Sequence, residues 1–326
     1  MTSNFIYNSI FKEEIQELIE WKRSVGFKYI TELGQLRRLD DFFIVKRLTI
    51  KKIDKSLVDE WCSKRSYEAP ANHANRISIM RIFCSYIVDI GIPAYIPPKG
   101  MVGHPPKYDA HIYTNDELKR FFEATDQCKE VPGVCPYRHL VMPVFFRILY
   151  TSGLRVSELR TAKIKDFDFD KEILIVRYGK NQKSRIVPIH PTLVDACVQL
   201  KESIHKHSKE AEYFFMHRPG QPMSLGNVYK NFRRFLEKAN IPHTGKGPRV
   251  HDFRHTFCIN LLKKCVEEKD LMAYLPYMRT MLGHENYEET AYYLKLTAEL
   301  FPNLIIKLET AYPEMIKLET NHEEYY

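Results

Sequence analysis

The chain has 326 residues, enough for two domains that each bury a core, and its 44% hydrophobic and 13% aromatic content excludes a disordered protein. No apolar run approaches the roughly 18 residues that span a bilayer, and the N-terminus turns acidic before a signal-peptide core develops, so no membrane association and a cytoplasmic location are expected. The seven cysteines are scattered without C-x-x-C spacing, against a zinc site or a disulfide framework, while a net charge of +8 suits a polyanionic partner without identifying one.

The first 95 residues read as helices. NSIFKEEIQELIEWKRSVG places Ile15, Leu18, Ile19 and Val25 near helical spacing, and TELGQLRRLDDFFIVKR continues with Leu33, Leu36, Leu39 and Phe43. KSLVDEWCSKR gives a short helix, and HANRISIMRIFCSYIVDIG supplies Ile77, Met80, Ile82, Phe83 and Tyr86 to a fourth. Residues 1–95 therefore form a small all-α domain. In GIPAYIPPKGMVGHPPKYDAH, residues 91–111, five prolines and three glycines interrupt regular structure, which makes 96–111 a linker.

A second domain is expected over 112–305. Thr114 is placed to cap a helix whose first turn carries Asp116 and Glu117, where acidic groups meet the positive end of the helix dipole. YRHLVMPVFFRILYTSG reads as a long core helix ending at Gly153. The period then changes, and two strands near 173–178 and 184–189 flank a polar turn. Helices follow in PTLVDACVQLKESIHK, SLGNVYKNFRRFLEKA, HDFRHTFCINLLKKC and the tyrosine-bearing segment LGHENYEETAYYLKLT. The fold class is mainly α with a small antiparallel β-sheet. The tail, 306–326, repeats IKLET and ends acidic.

Several groups could carry chemistry, and each has an ordinary structural reading. Arg155 in TSGLRVSELR could be a surface ion-pair partner. His251 and Arg254 in HDFRHTF lie three apart, on one face of a helix that could simply be solvated. Tyr287, Tyr292 and Tyr293 could be packing residues. Asp166, Asp168 and Asp170 alternate as at the start of a calcium loop, but Lys171 stands where glycine is required and Arg177 where the closing glutamate belongs. A polar turn leading into a strand is the better reading there.

Taken together and in order, TSGLRVSEL, GKNQKSRIVPI, HDFRHTF and LGH with a tyrosine nine residues beyond the histidine closely resemble the tyrosine recombinase (phage integrase) family in its compact two-domain form. The resemblance covers about 112–310 and implies a mixed α/β catalytic domain after a helical core-binding, DNA-binding domain. It makes Arg155 and Arg254 the catalytic arginines, Lys180 the mobile catalytic lysine and His251 and His284 the histidines. Glu158 falls where the family has an acidic residue supporting the first arginine, and Phe253 stands where leucine is common.

Adjacent helical residues point about 100° apart, so Tyr292 and Tyr293 cannot both face one phosphate. Periodicity does not choose between them; the family spacing from His284 makes Tyr293 the nucleophile, with Tyr292 as a packing neighbour.

The resemblance implies site-specific cleavage and rejoining of double-stranded DNA through a 3′-phosphotyrosyl intermediate, with no cofactor, metal or ATP. It also implies a homotetramer on two recombination sites and allows accessory DNA-bending proteins, with the tail as a segment that docks on a neighbouring protomer. Two rival readings are a type IB-like topoisomerase and a non-catalytic site-specific DNA-binding accessory protein.

Overall fold

The structure, a computed structural model, describes residues 5–101, 108–130, 136–177, 184–207, 209, 212–218, 220–244, 247–267, 271–283, 292–294 and 296–297. The chain divides into two compact units, Met1–Tyr108 and Asp109–Tyr326, with the division inside the proline-rich stretch. Among the described residues no helix is long and apolar enough to cross a membrane.

The first unit has helices α1 (Lys12–Ser24), α2 (Thr31–Val45), α3 (Lys55–Cys62) and α4 (Pro70–Asp89). Ile15, Leu18, Leu36, Leu39 and Phe43 are buried, with Phe11 and Phe83 packed 5.0 and 5.9 Å from the Phe43 ring. Asp54 starts α3 by accepting the Leu57 N–H at 2.9 Å, and α4 begins on Pro70, whose missing N–H costs nothing in a first turn. Val25 departs from expectation: α1 has already ended, Gly26 turns the chain at φ +94°, and the valine is exposed.

In the second unit Thr114 caps α5 (Asn115–Asp126): its hydroxyl accepts the Glu117 N–H at 3.2 Å, and Glu117 accepts the Thr114 N–H at 2.8 Å. The core helix is α6 (Arg138–Ser152), followed by α7 (Val156–Arg160). The strands β1 (Phe167–Asp168), β2 (Ile173–Val176) and β3 (Arg185–Pro188) form an antiparallel sheet in that order, with Val176 opposite Arg185. Then come α8 (Pro191–Ile204), the strands β4 (Met216–Arg218) and β5 (Gln221–Pro222), α9 (Leu225–Lys238), α10 (Asp252–Glu267) and α11 (Leu271–Leu282).

Phe121, Phe145, Phe146, Phe232, Phe235 and Phe253 make the unit's aromatic centre. Phe253 stacks 4.8 Å from Tyr113 and lies 5.0 Å from Phe121, so the ring standing where leucine is common fills space between α5 and α10. Two of the three carboxylates of DFDFD engage cations of the chain itself: Asp166 pairs with Arg177 at 2.7 Å and Asp168 with Lys171 at 3.0 Å.

Gly153 ends α6 at φ +60°, and a Cβ there would sit 2.6 Å from the Phe257 ring and 2.9 Å from Leu282. Left-handed backbone and overpacking both oppose a side chain. Gly153→Ala should therefore destabilise the protein by about 2–4 kcal/mol, read as a lower denaturant midpoint at unchanged slope. A change within about 0.5 kcal/mol would contradict the packing described.

Candidate active site

The end of α6, the start of α7, the first turns of α10 and the end of α11 meet at one place, and Gly153 makes the meeting possible. Its turned carbonyl accepts a hydrogen bond from Arg254 Nη1 at 2.8 Å, and Nη2 of the same guanidinium donates to the Leu282 carbonyl at 2.9 Å. Arg254 is 3% exposed. Burial lowers its pKa, with the Tyr293 hydroxyl opposing, but a guanidinium starts so high that it stays charged at neutral pH.

Arg155 precedes α7 in extended conformation. Its backbone N–H donates to Glu158 Oε2 at 2.9 Å, its Nη1 to Glu158 Oε1 at 3.1 Å, and its Nη2 reaches the Gly283 carbonyl at 3.5 Å. On the other side of Glu158 stands Arg185 at the start of β3. Its Nη1 and Nη2 donate to the two carboxylate oxygens at 3.0 and 2.7 Å, and its Nε donates to the Met281 carbonyl at 2.7 Å. Burial alone would raise the Glu158 pKa, but the Arg185 and Arg155 contacts outweigh it and hold the carboxyl below its ordinary range.

Tyr293 is 4% exposed and packs with Cys258, Leu262 and Leu282, its hydroxyl engaged with Arg254 and the Cys258 thiol. Burial, aided by Cys258 and opposed by Arg254, pushes the phenol well above its ordinary pKa. The Cys258 thiol is itself pushed up to about 12 by burial. Tyr292, expected as a packing neighbour, is 40% exposed, its ring 5.3 Å from that of Tyr293.

His251 is exposed at the start of α10, yet the atoms packed against its ring, then His255, Arg254 and Arg155, push it down to about 4. It is neutral at pH 7. Its ring meets His255 edge-on at 5.0 Å, and His255 in turn lies 5.5 Å from Tyr293 and 6.0 Å from Tyr292. Burial lowers the His255 pKa as well.

The structure thus brings together Arg155, Arg254, His251 and Tyr293, which are 138 residues apart at the extremes of sequence. Lys180, His284 and Tyr287 lie outside the described residues, as does the tail 306–326. Sequence reasoning missed two participants. His255 was visible as a histidine one helical turn after His251, and Arg185 as the arginine that opens the second strand.

A sequence profile described as the phage integrase family matches residues 112–299. A Sinorhizobium fredii relative, provisionally assigned as an integrase/recombinase, is 29% identical over 312 residues, covering 92% of this chain and 98% of its own. The tyrosine recombinase XerA of Thermococcus kodakarensis is 34% identical over 177 residues, covering 53% of this chain and 57% of its own. In fold, the chain is similar to the XerH site-specific recombinase in a pre-cleavage complex with its difH substrate, at TM-score 0.63 and 20% identity, covering 86% of this chain and 81% of that one.

The Glu158 side chain is 6% exposed and that of Arg185 7%, so removing one charge strands the other. Glu158→Gln should cost about 3 kcal/mol at neutral pH, measured by denaturant unfolding. Because the folded-state pKa is depressed, the stabilisation is present above the unfolded carboxyl's value of about 4.3 and is lost as pH falls through the lower folded value. The wild-type protein should lose stability across that acid range more steeply than Glu158→Gln; parallel curves would refute the ion-pair account.

Proposed function

The chain belongs to the phage integrase family, and from that premise we propose that it cuts and rejoins double-stranded DNA at specific sites through a 3′-phosphotyrosyl link to Tyr293. The contact of Tyr293 with a buried, permanently charged Arg254 carries the reading.

The chemistry follows from the groups. Attack on a phosphodiester concentrates negative charge on the non-bridging oxygens, and the planar forks of Arg155 and Arg254 bind such oxygens without losing charge. An ordinary phenol is ionised about one part in a thousand at pH 7, a deficit of roughly 4 kcal/mol. Burial enlarges that deficit in the DNA-free protein, so Tyr293 stays protonated until a substrate is engaged. His251, the proton acceptor in this reading, is neutral, and its ring contacts His255, which in turn contacts the Tyr293 ring; an anionic phosphate beside it would raise its basicity.

As the Tyr293 oxygen bonds to phosphorus, the bond from phosphorus to the 5′ oxygen breaks. Lys180 protonates the departing 5′ oxygen as general acid, and His284 completes the set. One phosphate ester replaces another, so a 5′ hydroxyl from a second strand can reverse the step with no external energy source.

Each chain carries one nucleophile, and exchange between two duplexes cuts four strands, which calls for four protomers. The helical first unit adds DNA affinity, accessory DNA-bending proteins shape the sites, and the reaction takes place in the cytoplasm.

Tyr293→Phe should bind DNA but form no covalent complex on a nicked duplex, whereas Tyr292→Phe should stay within about threefold of wild type. Arg254→Lys should slow cleavage roughly 10²–10³-fold, because an ammonium cannot span the same two carbonyls and a phosphate oxygen. Denaturing gel electrophoresis of the protein–DNA adduct measures both. Covalent capture by Tyr293→Phe would reject the assignment of the nucleophile.

A further inference from the structure

The Arg185 side chain is only 7% exposed, and all three of its guanidinium nitrogens donate within the protein. Two of its nitrogens grip the Glu158 carboxylate and the third holds the Met281 carbonyl near the end of α11. The backbone passes so close that a Cβ on Gly283 would sit 3.0 Å from the guanidinium carbon. Gly283 also offers its carbonyl to Arg155. Arg185 therefore touches the supports of Arg155 from two sides.

The charge arithmetic gives this contact a chemical meaning. Glu158 stands between two guanidinium groups, Arg155 at 3.1 Å and Arg185 at 2.7 Å. Within this trio the two cations compete for one carboxylate. Both oxygens of Glu158 are gripped by Arg185 in the bidentate geometry, while only one meets the Arg155 side chain. Without Arg185 the carboxylate would turn its full charge on Arg155, and an arginine neutralised by its own neighbour is a poor ligand for a phosphate.

We propose that Arg185 is a positioning residue for strand cleavage: by engaging both oxygens of Glu158 it weakens the hold of that carboxylate on Arg155, the arginine that binds the scissile phosphate. The inference rests on the recombinase reading, in which Arg155 binds that phosphate. Arg185 acts through Glu158 and never contacts DNA.

The test separates charge from mere structure. A nicked duplex is first selected from a random-sequence pool by covalent capture on the full-length wild-type protein. It is then synthesised with either the ordinary phosphodiester or a neutral methylphosphonate at the cleaved position, and each variant is compared with wild type on the same duplex. Arg185→Met should form the tyrosyl link roughly 10–100-fold more slowly on the phosphodiester but within about threefold of wild type on the methylphosphonate, which presents no anionic charge to Arg155. The double variant Arg185→Met with Glu158→Gln, which removes both members of the buried pair and with them the competing carboxylate, should recover about tenfold on the phosphodiester.

Should Arg185→Met fail to fold, the double variant and Arg185→Lys carry the test. The lysine keeps the charge but cannot grip both oxygens, and should show the same preference for the methylphosphonate at smaller amplitude. Equal losses on the two duplexes, or no loss on either, would overturn the role of Arg185 while leaving the recombinase reading intact. Failure of the wild-type protein to capture any duplex would overturn both.

Discussion

The site is organised around one buried cation that gives its hydrogen bonds to backbone. Arg254 is fixed by the carbonyls of Gly153 and Leu282, the terminal acceptors of two different helices, and it presents what remains of its donor fork to Tyr293. Helix C-termini leave carbonyls without intrahelical partners and carry partial negative charge. A guanidinium placed between two such ends offsets its own desolvation and satisfies both helices. The constraint propagates outward: α6 ends at a left-handed residue whose carbonyl faces Arg254, and there Phe257 and Leu282 leave no room for a side chain.

Much of this was legible in the sequence because local rules dominate at those positions. Thr114 with Glu117 three residues on is a reciprocal cap, and the structure forms it. Gly153 after a long apolar run marks a helix end, and the fold ends α6 there. The period-2 stretches around Ile173 and Ile186 pair as antiparallel strands. Tyr292 and Tyr293, being adjacent on a helix, were bound to differ in exposure, though nothing local said which would be buried.

What escaped the sequence depends on tertiary partners. Val25 fits the apolar period of α1, but the helix stops one residue too soon. The two-residue strand β1 and the β4–β5 pair are too short to show any period. Arg185 looks like a polar residue opening a strand, and its importance appears only when Glu158 and Met281, from distant parts of the chain, are folded against it. His255 would pass as a second polar residue on a solvated helix face until the tyrosine-bearing segment packs over it.

The electrostatics describe a centre at rest. Burial pushes the Tyr293 phenol up and the His251 and His255 imidazoles down, so at neutral pH the phenol is protonated and both imidazoles are neutral, while the arginines keep their charge. The most direct measurement is to digest the covalent adduct of the wild-type protein with its captured DNA and identify the modified peptide by mass spectrometry. The account predicts a nucleotide on Tyr293 alone. A nucleotide on Tyr292, on Tyr287 or on any other side chain would contradict it.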